Sequence, residues 1–514
     1  IRRQRQMCIR DSYNTSSFDF AKLLVEPDKI EDYFEEYLQG FSDNVKDIIE
    51  NFDFDNTVKL MVKGGVLFVT LQEFNSAKAD MSPDKITSAD MGYIFEELIR
   101  KFSESYDEQA GAHFTSRDII YLMTELLVAP EKTDIMKNGC TKTAYDMAMG
   151  TSQMLGCLTE RLKEINSEAD LTCFGQEFNP ETYAIAKADM LIKGGNASGM
   201  KYGDTLSNDA FDGYEFDYII SNPPFGIDWK REKEAVEKEA KRGYEGRFGP
   251  GVPAISDGQM LFMLNGVKKL KEGSGRMAII QNGSSLFTGD AGSGASEIRK
   301  YVIGEDLVEA IVQLPTDLFY NTGISTYIWI LTKGKDMNRS GKIQLIDASK
   351  CYVKRRKNIG SKRVDLDDAC IELILRAYEG FDNKSYEDNG LIVESKVFDK
   401  EFFGFTKVTV ETAQVDEDGK PILKKGKKQP VKGATDTEII PLSEDIVAYM
   451  EKNVLPYNPN AYIDSSKNKE GYEVPFTRLF YKFEAPASSE SIFEEIKELE
   501  VEETILMKEL FGNA

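Results

Sequence analysis

Apolar residues in the first hundred positions recur mostly at helical spacing. Ile30, Phe34, Tyr37, Leu38 and Phe41 share one face, and Val45, Ile48, Ile49 and Phe52 share the next, with Ser42 placed to cap it. Met91, Phe95, Leu98, Ile99 and Phe102 repeat the pattern. These stripes predict the packing faces of a helical domain over residues 13–108. From about Thr143 the texture changes. Short apolar runs at 144–146, 171–174, 217–221, 276–282, 307–314 and 326–332 read as buried strands, with helical stretches such as 180–192 and 259–270 between them. Strand–helix alternation predicts an α/β domain with a mainly parallel sheet covered on both faces, assigned to 109–350. Ligands of such sheets bind at the carboxyl ends of the strands.

Residues 351–488 form a mixed region. Within it the stretch 412–438, with Lys424, Lys425, Lys427 and Lys428, lacks apolar periodicity and reads as a loop or hairpin. The chain ends in an amphipathic helix over 489–514. Ser491 and Glu494 are spaced as a capping box, and Ile492, Ile496, Leu499, Leu506 and Leu510 follow coiled-coil-like spacing, which points to a partner chain. Residues 1–12 carry Arg2, Arg3, Arg5 and Arg10, resemble translated sequencing-adapter sequence, and are set aside as a scar.

Composition narrows the function. At 514 residues the chain has room for roughly three domains. With 41% hydrophobic and 29% charged residues, a large core is available. Sixty-four basic against 87 acidic side chains give a net charge of −23. A chain that grips nucleic acid unaided shows a basic footprint, so work on DNA would need a local basic surface or a basic partner. No run of eighteen apolar residues exists, so no membrane span is expected. The six cysteines form no C-x-x-C pair, and His113 is the only histidine. A metal site or a histidine-activated nucleophile is therefore not expected. Scattered cysteines without a secretory signal fit a reducing cytoplasm.

The chemistry concentrates where the run 217–221 meets Asn222-Pro223-Pro224-Phe225. Two prolines remove backbone donors and stiffen the loop. The Asn222 side-chain oxygen and the Pro223 carbonyl remain as fixed acceptors, and Phe225 offers a flat face for stacking. Two acceptors and a ring suit a planar heterocycle bearing an exocyclic amine. Holding both amine protons biases the nitrogen towards a nucleophilic lone pair, which favours attack on an electrophilic methyl group. A duplex base would have to be flipped out to reach such a pocket.

This loop resembles that of amino-methyltransferases using S-adenosylmethionine, in the form typical of adenine N6 methylation. Gly111 to Asp118, Phe174 to Glu177, Gly203 to Leu206 and Leu318 to Ile324 resemble the methylation subunit of type I restriction–modification systems. So do Met91 to Arg100 and Gly471 to Arg478, and the similarity runs from Ser12 to the C-terminus. The resemblance implies a Rossmann-like methyltransferase sheet of seven strands, the last two a β-hairpin, behind a helical N-terminal domain whose true start is missing. It implies that Asp146, Gly150, Thr151 and Ser152 approach the methionine end of the cofactor and Glu177 its ribose. It places Asp204 and Thr205 by the adenine, with Phe114 and Thr115 closing over it. It implies DNA as substrate, a separate specificity subunit, a second methylation subunit and a restriction endonuclease–translocase subunit. The chain carries no Walker A motif, and Gly289 to Ser296 reads as the loop after the fifth strand. Residues 229–247, with Lys230, Arg231, Lys233, Lys241 and Arg242, read as a solvated helix after the catalytic loop, with phosphate contact as the alternative. One departure stands out. Where the family often has D-P-x-C-G-x-G-G, this chain reads Asp146-Met-Ala-Met-Gly150-Thr-Ser-Gln153, and Ser116 replaces the usual proline after the threonine. Weakened cofactor binding is expected. Methylation of a protein glutamine or of RNA, and a non-catalytic scaffold of the same fold, remain alternatives.

Overall fold

The computed structural model of the protein describes residues 12–81, 85–86, 91, 94, 97–98, 115–320, 322–424, 426–482 and 488–511. Phe114, His113 and most of the third helical stripe lie outside these. Four helices, Ile30–Gln39, Asp43–Asn51, Phe54–Lys63 and Leu67–Phe74, enclose a small core of Leu23, Ile30, Phe34, Leu38, Val58, Leu67 and Leu71. Ser42 does occupy the N-cap position, but its hydroxyl donates to Asn44 and accepts the Tyr13 N–H, so it caps no helical amide. The helical layer is tied to the next domain through Asp47, whose carboxylate accepts from Tyr183 at 2.7 Å and pairs with Lys187.

The central sheet is built from β1 (Thr141–Asp146), β2 (Asp170–Glu177), β3 (Met200–Tyr202), β4 (Tyr218–Ser221), β5 (Arg276–Asn282), β6 (Val308–Gln313) and β7 (Thr326–Thr332). Their order is 3-2-1-4-5-7-6, with β7 inserted antiparallel between β5 and β6 and the others parallel. That is the expected seven-stranded sheet. It does not stop there: β8 (Lys342–Asp347) adds parallel to β6. Past the hairpin of β9 (Val353–Ile359) and β10 (Lys362–Asp365), β11 (Lys384–Asp388) and β12 (Leu391–Asp399) complete ten strands. The sheet thus runs beyond residue 350. β4, β5 and β7 are buried almost throughout, as strands covered on both faces must be.

One face is covered by the helices Arg117–Val128, Gln153–Ile165, Pro180–Ile192 and Asp368–Gly380. The helices Gln259–Lys269 and Gly294–Gly304 contribute to a second core with Leu206, Trp229 and Phe248. The lysine-rich stretch resolves as a β-hairpin. β13 (Gly404–Ala413) pairs with β16 (Pro430–Pro441), with the two-residue strands β14 (Leu423–Lys424) and β15 (Lys427–Lys428) between them, and β17 (Ala461–Ile463) and β18 (Lys469–Tyr472) complete that sheet. Residues 475–514 form a separate unit. In it the helix Ser489–Phe511 is capped not by Ser491 but by Ser488, whose hydroxyl accepts the Ser491 N–H at 3.1 Å. Ile492, Ile496, Leu499 and Leu506 are all exposed.

A buried charge network locks the sheet extension. Glu309 on β6 pairs with Arg276 on β5 at 2.8 Å and with Arg339 at 3.4 Å, and accepts from Tyr378 at 3.0 Å. Arg276 also donates to the Leu127 carbonyl. Removing the glutamate leaves two guanidiniums without their counter-charge in the interior. Glu309→Ala is expected to cost about 3–5 kcal/mol, read by urea unfolding, and Glu309→Gln less. A cost below about 1 kcal/mol for the alanine variant would show that the network carries no structural burden.

Candidate functional site

The strand order reverses between β1 and β4, and the loops leaving their carboxyl ends diverge there to leave a crevice. A cavity of about 620 Å³ occupies it, bordered by Thr115, Asp146, Gly150, Thr151, Glu177, Asp204, Thr205, Asn222 and Pro224. Nine of the residues singled out from sequence therefore meet at one opening. Ser152, Pro223 and Phe225 do not border it. Ser152 and Pro223 are buried behind it, and the Phe225 ring packs against the main hydrophobic core. The Phe225 ring is only partly buried there, since an aromatic side chain beside buried strands gains from covering part of its surface.

Asp146 ends β1 in nearly complete burial. It accepts from the Ser221 hydroxyl at 2.7 Å and from the Ala148 N–H at 3.1 Å. Burial pushes its carboxyl up to about 7. The two hydrogen bonds oppose that rise, and the negative charge of Glu177 adds to it. Glu177, at the end of β2, accepts from the Gly150 N–H at 2.9 Å and the Asn179 N–H at 2.8 Å, one on each oxygen. The loop of Asp204 is shaped by its own carboxylate, which accepts from the N–H groups of Leu206 and Ser207. Thr205 donates to the Met147 carbonyl at 2.6 Å, joining this loop to the one after β1.

The Asn222 amide is held by Thr115: Nδ2 donates to Oγ1 at 2.9 Å. Asn222 Oδ1 is shielded and has no partner. An unpartnered buried acceptor costs about 1–3 kcal/mol, which a hydrogen-bond donor entering the cavity would recover. Gly150 and Ser152 both take left-handed backbone, at φ 53° and 63°. For Ser152 that conformation is strained, and its hydroxyl finds no partner. Ser116, in place of proline, has a use: it donates to Asp118 and accepts from the buried Lys362 ammonium.

Some of the site was hidden in sequence. Trp229 opens a charged stretch, yet it is buried, donates to the Ala254 carbonyl and borders the cavity. Arg247, at the end of that stretch, is also buried rather than solvated. It donates to the carbonyls of Thr205 and Leu206, to Asn265 and to Glu239. Interspersed lysines and glutamates masked both.

The N-6 DNA methylase family matches residues 87–417, well over half of the chain. The chain belongs to that family. The match spans the helix before β1 through to the hairpin after β13, and so includes the whole crevice of this methylase. It is 27% identical to the HindI methylase subunit of a type I restriction enzyme from Haemophilus influenzae, across 65% of this chain and 71% of that one. It is also 27% identical to the MjaIX methylase subunit of Methanocaldococcus jannaschii, across 58% of this chain but only 50% of that protein. Among solved structures, the type I restriction–modification methyltransferase subunit of Streptococcus thermophilus shares the fold. It has a TM-score of 0.57 and 22% identity, and the match covers 75% of this chain and 77% of that one.

The raised carboxyl of Asp146 has a signed consequence. A group whose folded pKa lies above its unfolded value of 3.8 stabilises the fold when protonated, so its contribution fades as pH rises towards and through about 7. Wild type is therefore expected to lose stability relative to Asp146→Asn between pH 5 and pH 8 in urea unfolding. A difference independent of pH would show that Asp146 ionises normally.

Proposed function

We propose that this methylase transfers a methyl group from S-adenosylmethionine to N6 of adenine in DNA, as the modification subunit of a type I restriction–modification complex. The observation that carries the reading is the convergence on one cavity of Asn222 and Pro224 with the loops that end β1, β2 and β3. The cofactor supplies a methyl group on a positively charged sulfur. The residues fit it: Glu177 ends β2 at the cavity with a carboxylate, a group that accepts from ribose hydroxyls, and Asp146 is a buried carboxylate that a cation would favour in its charged form. Gly150 and Thr151 border the same end of the cavity, and Asp204 and Thr205 border the part read as the adenine region.

At the other side, Asn222 Oδ1 takes one proton of an extruded adenine's amine, and the carbonyl of Pro223, a residue just behind the lining, takes the other once the base is seated. Thr115 fixes the amide so that oxygen, not nitrogen, is left for this task. Gripping both protons turns the nitrogen lone pair towards the methyl carbon, and no general base is needed before transfer. Pro223 and Pro224 hold the loop rigid at no cost in unpaired donors. Base flipping brings the target to the pocket.

Target reading belongs in this proposal to a separate specificity subunit, with a second methylation subunit and, for restriction, an endonuclease–translocase subunit. The acidic surplus of the chain and the exposed apolar side chains of its terminal helix support such partners.

Two experiments test the reading. With the cognate specificity subunit and tritiated cofactor, label is expected on N6 of adenine, and Asn222→Ala should lower the rate by at least about a hundredfold while cofactor binding persists. Label on protein or RNA, or an unaffected alanine variant, refutes it. Deleting residues 489–514 should abolish co-purification with the specificity subunit and leave cofactor binding intact by calorimetry. Unchanged co-purification removes the partner role of that helix.

A further inference from the structure

Most of this chain repels a polyanion: its formal charge is −23. One segment does the opposite. Lys350, Lys354, Arg355, Arg356, Lys357, Lys362 and Arg363 fall between Ser349 and Val364, with no acid among them. The fold makes this stretch the antiparallel pair β9–β10, a ribbon that belongs to neither of the larger sheets.

The ribbon is anchored firmly. Gly360 at its turn has φ 55°, and a Cβ there would lie 2.4 Å from the Tyr320 carbonyl, so the turn is pressed onto that backbone. The Ser361 and Arg363 N–H groups donate to the carbonyls of Tyr320 and Asp317. Lys362 is the one buried cation of the ribbon, and its ammonium reaches Asp118 at 2.9 Å, the Leu318 carbonyl at 3.0 Å and Ser116 at 3.2 Å. Arg355 is satisfied by Asp365.

The other cations are left over. Lys354, Arg356, Lys357 and Arg363 are exposed, and none has an ion-pair partner among the described residues. Four exposed cations without ion-pair partners make a local positive patch that attracts a polyanion. Lys354 and Arg356 lie two residues apart on one strand, on the order of 7 Å, comparable with the step between successive phosphates of a nucleic acid strand. Their position matters as much. The anchor Ser116 directly follows Thr115, which borders the cavity and holds the Asn222 amide. The ribbon is therefore fixed to the segment that forms one wall of the catalytic opening.

We infer that the β9–β10 ribbon is a phosphate-binding surface that seats the DNA backbone beside the base presented to Asn222. The inference rests on the reading of the cavity as a DNA methylation site. It supplies the local basic surface that an acidic chain needs in order to hold DNA at its active site, and its contacts are to backbone, independent of sequence.

Duplex DNA of 30 base pairs, labelled with a fluorophore, would be titrated with the full chain by anisotropy over a range of sodium chloride. Arg356→Gln with Lys357→Gln is expected to weaken binding roughly tenfold or more near 0.1 M salt. It should also reduce the slope of log affinity against log salt by about 0.9 for each phosphate that is no longer neutralised. Binding of S-adenosylhomocysteine by calorimetry should be unchanged, which also shows that the variant is folded. Lys424→Gln with Lys427→Gln, on the lysine-rich hairpin of the other sheet, removes the same charge and should leave the slope as it was. The inference is overturned by a slope equal to that of the unaltered chain, by an equal drop in both double variants, or by no salt-dependent DNA binding at all. Preferential binding of single-stranded RNA that the first pair abolishes would reassign the surface to RNA and overturn it as well. Adenine labelling with an unchanged slope sinks this inference alone. A reduced slope with no labelling sinks the methylation reading and leaves the phosphate surface standing.

Discussion

The hydrogen bond from the Ser221 hydroxyl to the Asp146 carboxylate, 2.7 Å long and sealed from solvent, is the constraint on which the site depends. It joins the carboxyl ends of β1 and β4 at the point where strand order reverses. The loop after β1 borders the region suited to a cofactor, and the loop after β4 carries Asn222 and its two prolines. Because both loops start from the two ends of one buried bond, their spacing is set by the sheet and not by the loops. A group transfer needs donor and acceptor held to within a fraction of an ångström, and a parallel sheet supplies that rigidity at its strand ends. The same bond lies in a medium that penalises an isolated carboxylate, so Asp146 is poised to ionise when a cation arrives.

Behind the cavity the polar groups are tied off with few left over. Arg247 spends its guanidinium on the Thr205 and Leu206 carbonyls, Asn265 and Glu239, which fixes the loop after β3 from its rear. Glu239 sits on the helix Lys233–Ala240 and Asn265 on Gln259–Lys269, so one buried cation couples two helices to one wall of the cavity. Two residues that border the opening each keep a buried oxygen without a partner, Asn222 at Oδ1 and Gln153 at its side-chain oxygen. A ligand that donates to those two oxygens gains by completing them.

How much of this could be read in the chain follows from how each feature is encoded. Strands β4, β5 and β7 are continuous apolar runs, and a run bounded by turns announces a doubly covered strand. β3 has three residues with one buried, and β11 is an edge strand with mostly exposed side chains, so neither leaves an apolar signature. The ribbon β9–β10 is too polar to read as structure at all, since its order comes from backbone contacts to Tyr320 and Asp317 and from one buried lysine. The site was legible where covalent geometry does the encoding, as in Asn222 to Pro224. It was illegible where burial decides, as at Trp229 and Arg247. A ring or a guanidinium has the same sequence signal whether it faces a ligand, the core or water.

The unusual loop after β1 shows that departure from a pattern is not loss of a site. Met147 and Met149 stand where the related pattern carries proline and cysteine, and both side chains are larger than those they replace. The room for them comes from two glycines elsewhere. A Cβ on Gly175 of β2 would fall 2.3 Å from the Met149 sulfur. A Cβ on Gly266 would fall 2.9 Å from the Met147 methyl and 2.3 Å from the Met277 sulfur. Flexible thioethers thus fill two notches cut into the neighbouring strand and helix, as methionine does where packing is irregular. The loop keeps the Asp146 and Gly150 contacts that position it, and Ser152, itself fully buried, carries the strained left-handed backbone. Packing has thus absorbed the two larger side chains, and the loop still borders the cavity through Asp146, Gly150 and Thr151.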